Sequence, residues 1–166
     1  MFKMTEQSTF NSAYEEDAQK DKFLTFSLGN ELYGIEIKHV IEIIGIQTIT
    51  EVPELPDFVR GIINLRGKII PVMDVRLRFK KPFLEYNDRT CIIVIEMKGT
   101  SVGLIVDSVS EVLSVPSADI VPPPEAGGGL NRYIQGIGKS GTAVMLLLDC
   151  DKLLHDHEVE RLLLAE

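Results

Sequence analysis

Short apolar runs separated by turn residues dominate the chain from Phe23 onward. The run Phe23-Leu24-Thr25-Phe26-Ser27-Leu28 alternates in part, Gly29-Asn30 follows, and Glu31-Leu32-Tyr33-Gly34-Ile35 returns. Two such runs around a Gly-Asn turn predict a β-hairpin. The same pattern predicts hairpins around Arg66-Gly67, around Lys98-Gly99-Thr100, and between residues 133–138 and 142–148. The pattern therefore predicts a chain that is mainly β.

Helical spacing occurs in two places. Ile37, Val40, Ile41 and Ile44 recur at intervals of three and four, and Gly45 closes the segment, which predicts a short helix. A strand is predicted after it, over about residues 46–52, and Asp57 is predicted to cap one helical turn. Leucines near the C-terminus predict a last helix over about residues 151–165.

The segment before Phe23 differs in composition from the rest. It contains five acids and no sustained apolar periodicity. Such a segment cannot bury enough apolar surface to fold by itself. The predicted division is a flexible acidic tail over residues 1–22 and a folded domain over residues 23–166.

A weak internal duplication gives the best indication of architecture. The segment that starts at Gly34 aligns without a gap with the segment that starts at Gly103, over ten positions. A second pair of segments, Gly61 to Asp74 and Gly136 to Asp149, follows in the same order. Two copies of short strands and turns predict two similar β lobes, and closure into barrels would remove their exposed edges. The groove between such lobes is a natural binding site.

Charge and hydropathy exclude several classes of protein. Lys and Arg number 17 against 25 Asp and Glu, a net charge of −8, which argues against general binding to nucleic acid or to anionic membrane. The longest apolar run, Ala143 to Leu148, is far shorter than the roughly 20 residues that a membrane span needs. No apolar signal-peptide core follows Met1, so the expected location is cytoplasmic, with both cysteines reduced.

Motifs for catalysis or cofactor binding are weak throughout. The glycine pattern from Gly136 to Gly141 resembles a dinucleotide loop, but an apolar strand follows it instead of the required helix. The spacing of His39, His155 and His157 favours no metal site. Cys91 begins an apolar run in which a thiol is inert. We therefore expect no enzyme activity, no metal and no cofactor.

The segment Asn64-Leu65-Arg66-Gly67 allows two interpretations. Asn and Gly accept a positive φ, so the segment is typical of a plain hairpin turn. A rigid hairpin would also present Arg66 at its tip, and Arg is enriched among the residues that dominate interface energies. Composition does not separate the two.

Taken together, a set of ordered motifs resembles the CheW family of chemotaxis coupling proteins. The resemblance covers about Lys22 to Leu164. Its motifs are Tyr33-Gly34-Ile35-Glu36-Ile37, Val40-Ile41-Glu42-Ile43, Pro53 to Pro56, Phe58-Val59-Arg60-Gly61, Asn64-Leu65-Arg66-Gly67, Pro71-Val72-Met73-Asp74, Tyr86-Asn87-Asp88 and Val106-Asp107-Ser108-Val109. The acidic tail and the Gly127-Gly128-Gly129 loop depart from the family pattern.

The resemblance implies an all-β fold with a minor helical part: two intertwined five-stranded SH3-like β-barrels plus a C-terminal helix. It implies a non-catalytic adaptor that is monomeric alone, assembles in receptor arrays, and joins the cytoplasmic tip of methyl-accepting chemoreceptors to the regulatory domain of the histidine kinase CheA. The implied kinase-binding residues are Ile37, Glu42 and Arg66, and the implied receptor-binding residues are Val40, Ile43, Gly61 and Asn64. The alternative is a small-ligand sensor that uses the groove between the lobes.

Overall fold

The computed structural model describes residues 20–124 and 132–154. The acidic tail up to residue 19, the triple-glycine loop and the C-terminal residues from 155 lie outside the described residues. The strands are β1 (Lys22–Leu28), β2 (Glu31–Glu36), β3 (Val40–Gly45), β4 (Val59–Leu65), β5 (Lys68–Asp74), β6 (Cys91–Met97), β7 (Thr100–Val106), β8 (Ser108–Ser114), β9 (Ile120–Val121), β10 (Ile134–Ser140) and β11 (Ala143–Leu148). The helices are α1 (Val75–Arg78) and α2 (Cys150–Leu154), with 3-10 turns at Ile37–His39 and Ser117–Asp119.

The strands form two sheets, and each sheet makes one SH3-like barrel. The first barrel has five strands in the order β3-β6-β7-β5-β4, and the second has six in the order β8-β1-β2-β11-β10-β9, the last of which is very short. The hairpin β1–β2 thus belongs to the second barrel, while β6–β7 belongs to the first. Each half of the chain lends a hairpin to the other half's barrel, so the barrels are intertwined as expected.

The duplication in the sequence is a duplication in the structure. Strand β2 lies parallel to β11 with Gly34 opposite Leu147, and β7 lies parallel to β5 with Gly103 opposite Val72. A Cβ on Gly34 would lie 2.9 Å from a Leu147 methyl, and a Cβ on Gly103 would lie 2.9 Å from a Val72 methyl. Both glycines are therefore required where the two parallel strands meet.

The second repeated segment is built in the same way in both copies. The Asp74 N–H donates to the Phe58 carbonyl at 2.7 Å, and the Asp149 N–H donates to the Tyr133 carbonyl at 2.8 Å. Each aspartate also accepts, through Oδ1, a hydrogen bond from the backbone N–H three positions later, at 3.2 and 3.1 Å. These contacts start α1 and α2 in the same way after β5 and β11.

Within the described residues, three apolar clusters hold the two sheets together. The largest lies between the barrels and takes residues from both sheets, among them Phe26, Tyr33, Ile93 and Leu104. A smaller cluster fills each barrel. Because the largest cluster is shared, the two barrels form one folding unit and not two independent domains.

Three local predictions were wrong. The segment with helical spacing forms a 3-10 turn at Ile37–His39 and then strand β3, because β-branched residues with alternating exposure pair with β6. The segment predicted as a strand over 46–52 makes a single bridge, between Thr50 and Ile62. The chain after Asp57 does not form a helical turn and enters β4 at Val59.

Candidate functional site

A charged pair lies at the tip of the β4–β5 hairpin. Arg66 and Gly67 form the turn with positive φ of 52° and 89°, as a two-residue type I′ hairpin requires. The Gly67 N–H donates to Oδ1 of Asn64 at 2.8 Å and fixes the turn. The Arg66 guanidinium donates to the carboxylate of Glu42 in β3. The turn is thus tied to the strand at the opposite edge of the same sheet.

Gly61 closes this barrel through its backbone. Thr50 and Ile62 exchange two hydrogen bonds of 2.9 Å, which join the segment after β3 to β4. Gly61 has a φ of 144°, and a Cβ there would lie 2.1 Å from the Thr50 carbonyl oxygen. The close approach of the two backbones therefore requires glycine at this position.

Strand β3 exposes two isoleucines. Ile41 and Ile43 are 53% and 43% exposed, while Val40, Glu42 and Ile44 on the alternate positions are half-buried. On the β4–β5 hairpin, Ile69 is also exposed. Large apolar side chains held on a strand beside an Arg–Glu pair are typical of a protein-binding surface.

The two barrels meet at two places related by the duplication. The Lys38 junction consists of Glu36, Lys38, His39, Asp149 and Asp151, around the 3-10 turn after β2 and the start of α2. Ile37 and Val40 are half-buried here and pack against the cluster between the barrels. Both residues therefore contribute apolar surface at the edge of this junction.

The pKa of His39 depends on its burial and on the charged groups of the Lys38 junction. Its Nε2 lies 3.8 Å from Oε1 of Glu36. Burial lowers the pKa of His39, and the carboxylates of Glu36, Asp149 and Asp151 oppose that effect. The imidazole is therefore neutral at pH 7.

The Arg76 junction consists of Asp74, Arg76 and Asp107, and it is closed by a bidentate ion pair. Arg76 Nε donates to Asp107 Oδ1 at 2.8 Å and Nη2 donates to Oδ2 at 2.9 Å. The Gly29 N–H in the β1–β2 turn also donates to Asp107 Oδ2, at 2.7 Å. Burial raises the pKa of the Asp107 carboxyl, but the hydrogen bonds from Arg76 and Gly29 outweigh it and hold the pKa below its usual value.

A buried arginine links the two repeats at the centre. The Arg78 guanidinium carbon lies 4.4 Å from the ring centre of Phe58 and 4.7 Å from that of Tyr133. These two rings occupy equivalent positions in the two copies. Arg78 also donates a hydrogen bond to the Tyr133 hydroxyl. One cation therefore holds together the same aromatic position of both copies.

A cavity of about 410 Å³ opens at the Arg76 junction. Its base is formed by the Arg76–Asp107 pair, and the Tyr86 hydroxyl in its wall donates to Asp74 Oδ2 at 2.7 Å. These groups bind one another, so the base of the cavity offers a ligand little unsatisfied charge. This cavity therefore does not favour the small-ligand alternative.

The predicted site residues lie in several parts of the structure. Glu42, Arg66 and Asn64 come together at one end of the first barrel. Ile37 and Val40 come together at the Lys38 junction. Ile43 lies on the exposed face of β3, and Gly61 is buried in the barrel closure.

Sequence reasoning missed Ile41, Ile69 and the Arg76–Asp107 pair. Because the segment was predicted as a helix, Ile41 was not expected to be exposed. As part of a strand, Ile41 lies on the same exposed face as Ile43. Arg76 and Asp107 lie far apart in the chain, and their pairing has no local signal.

Within residues 20–124 and 132–154, no three His, Cys, Asp or Glu side chains are placed to hold a metal ion. In the same part of the chain, no helix is long and apolar enough to cross a membrane.

Two intertwined SH3-like barrels with an exposed apolar strand and a paired arginine at a hairpin tip are typical of a protein-binding module. Residues 22–158 match the model of the CheW-like domain. The chain is 41% identical over 139 residues to the chemotaxis protein CheW of Klebsiella aerogenes, covering 83% of this chain and 84% of that protein. It is 34% identical over 146 residues to the chemotaxis protein CheW of Treponema pallidum, covering 85% and 86%.

A solved structure agrees with the sequence relatives. The scaffolding protein TtCheW from Thermoanaerobacter tengcongensis superposes with a TM-score of 0.76 at 38% identity, covering 83% of this chain and 90% of that one. The chain belongs to the CheW-like domain family.

Proposed function

We propose that the protein is a chemotaxis adaptor. It binds the regulatory domain of the histidine kinase CheA with one surface and the cytoplasmic tip of a methyl-accepting chemoreceptor with another, without catalysis. It is cytoplasmic, monomeric alone, and recruited to receptor arrays. The observation that carries this proposal is the Glu42–Arg66 pair, held on a rigid hairpin beside the exposed isoleucines of β3. Its relatives include chemotaxis proteins and a scaffolding protein.

The kinase surface is centred on Arg66. Its turn is fixed by the Asn64–Gly67 hydrogen bond, so little conformational freedom is lost when a partner binds. The Arg66 guanidinium pairs with Glu42, while most of the Arg66 side chain remains exposed to solvent. Ile37 extends this surface toward the junction, and Ile41 adds apolar area.

The receptor surface is centred on Val40 at the Lys38 junction. The other residues proposed to bind the receptor are Ile43 on the exposed face of β3, Asn64 at the β4–β5 turn and Gly61 in the barrel closure. Each surface is small, so each contact is weak and reversible, and an array gains strength from several contacts at once.

The test is a calorimetric titration of the full chain with the regulatory domain of CheA from the same cell. Arg66→Ala is expected to weaken binding by about 2 kcal/mol, roughly thirtyfold, as an interface hot spot would. Arg89→Ala removes another exposed arginine and is the matched control, with no expected loss. Equal affinities for the wild type and both variants would refute the kinase surface, and no binding by the wild type would refute the kinase contact itself.

A further inference from the structure

The duplication places opposite charges at equivalent positions of the two junctions. The alignment that pairs Gly34 with Gly103 also pairs Lys38 with Asp107. The alignment that pairs Gly61 with Gly136 also pairs Arg76 with Asp151. One junction therefore has its acid after a strand and its base on a helix, and the other has the reverse. Lys38 lies in a 3-10 turn between β2 and β3, whereas Asp107 alone joins β7 to β8.

The Arg76 junction satisfies its own charges. Arg76 and Asp107 form the bidentate pair, and their side chains are only 15% and 19% exposed. The pair is further held by the Gly29 N–H. A partner would have to break this pair to use either charge.

The Lys38 junction does not form the equivalent pair. Lys38 Nζ lies 3.6 Å from Oε2 of Glu36 in the same turn, and the Lys38 side chain is 61% exposed. Asp151 pairs with Lys98 at 3.2 Å instead. The ammonium group of Lys38 therefore lies largely in solvent, next to the half-buried side chains of Ile37 and Val40.

We propose that Lys38 is a specificity-determining contact, which binds a carboxylate of the partner as Asp107 binds Arg76 within the chain. This inference rests on the proposed receptor contact at the Lys38 junction. The partner it fits is a helical hairpin that presents an Asp or Glu beside apolar side chains that cover Val40. In one junction, Arg76 and Asp107 of the chain thus pair with each other. In the equivalent junction, Lys38 pairs with a carboxylate of the receptor.

The energetic signature follows from the exposure of Lys38. A charge at the edge of an interface acts mainly on the association rate and is weakened by salt. Reversing the charge removes the attraction and adds repulsion. The effect on affinity is therefore largest at low ionic strength.

The experiment is a kinetic binding assay of the full chain with a soluble fragment of the cytoplasmic hairpin of a chemoreceptor from the same cell. The wild type, Lys38→Glu and Lys80→Glu are compared at about 50 mM and about 300 mM salt. Lys80 is an exposed lysine just after α1, so the control carries the same change in net charge. Lys38→Glu is expected to bind about tenfold more weakly at low salt, through slower association, with a smaller difference at high salt. Lys80→Glu is expected to match the wild type.

The outcomes distinguish the role of Lys38 from the receptor contact on which it rests. Binding by the wild type with equal affinities for the two variants would overturn the role of Lys38 and leave the receptor contact intact. Absence of binding by the wild type would overturn the receptor contact itself. A charge exchange gives a second readout, in which the acidic residues at the tip of the receptor fragment are replaced by Lys one at a time. One of these fragment variants should restore binding to Lys38→Glu. Restoration at no position would overturn the inference even if Lys38→Glu binds weakly.

Discussion

Arg76 and Asp107 face each other with two parallel hydrogen bonds of 2.8 and 2.9 Å across the junction of the two barrels. The pair links the helix after β5 to the connection between β7 and β8. Arg76 also donates to the Pro82 carbonyl at 3.0 Å. One guanidinium therefore holds both the segment just after α1 and the distant connection between β7 and β8.

Arg76→Ala should destabilise the protein by about 2 kcal/mol, less than the loss of a fully buried partner because the pair retains some exposure. The reason is that Asp107 would keep its charge in a half-buried place without its main partner. Urea unfolding of the full chain measures the change. Arg89→Ala is the control, with a change within about 0.5 kcal/mol. Equal stability of the two variants would show that the pair contributes nothing.

Acid should weaken the fold through Asp107. Its pKa is lower in the folded chain than the ordinary value of 3.8, so its contribution is present at neutral pH and is lost as pH falls below about 4. The pKa of Glu31 is lowered too, by hydrogen bonds from Lys81 and Tyr33, and adds to the same loss. Urea unfolding at a series of pH values from neutral into the acid range measures the slope. Asp107→Asn should be less stable at neutral pH and should show a flatter slope, and an unchanged slope would contradict the assignment.

Gly61→Ala should prevent closure of the first barrel and cost more than about 3 kcal/mol, because the new methyl group would collide with the Thr50 carbonyl and strain a positive φ. Gly45→Ala is the matched control, since a Cβ there meets nothing within 4 Å. Thermal unfolding followed by circular dichroism compares the two. A stable Gly61→Ala protein that lost only receptor binding would instead give Gly61 a direct contact role.

Arg78→Met should destabilise the protein by about 2–3 kcal/mol, because it removes a cation placed between the rings of Phe58 and Tyr133 and a hydrogen bond to the Tyr133 hydroxyl. Arg78→Lys should not restore the loss, since an ammonium group cannot stack between two rings. Tyr133→Phe keeps the ring and should cost about 1 kcal/mol. Full stability of Arg78→Lys in chemical unfolding would show that charge alone matters.

Ile41→Arg should weaken binding to the kinase regulatory domain by about tenfold while leaving stability within about 0.5 kcal/mol, because the side chain is exposed in the free protein. Leu84→Arg makes the same change at another exposed apolar residue and should bind as the wild type does. Biolayer interferometry with the immobilised domain compares the variants. A smaller effect for Ile41→Arg than for Leu84→Arg would place the contact elsewhere.

The sequence predicted repeated elements better than it predicted local conformation. Gly34 and Gly103 revealed the duplication because each lies where two parallel strands pair and a side chain would collide with the neighbouring strand. Strand β3 carries apolar residues on both of its faces, so the sequence shows no alternation of apolar and polar residues there. Its isoleucines and its valine also fall at helical spacing, which is why a helix was predicted. The signal that favours a strand there is the run of β-branched residues.

Contacts between distant residues were beyond local patterns. No spacing in the sequence pairs Glu42 with Arg66 or Arg76 with Asp107. The exchange of hairpins between the barrels followed only from the family resemblance, because β2 and β11 lie near opposite ends of the domain. Such pairings depend on closure of the whole sheet and not on neighbouring residues.

The exchanged hairpins also constrain how the chain matures during synthesis. Strands β3, β4 and β5 leave the ribosome before β6 and β7, which must enter between β3 and β5. The hairpin β1–β2 can pair with β8 through β1, but its β2 edge stays unpaired until β11 is made. The nascent chain therefore holds unpaired strand edges for most of its synthesis, and neither repeat can finish before the other begins. We expect that a ribosome stalled after β5 would carry a protease-sensitive chain, whereas one stalled well after β11 would carry a resistant one.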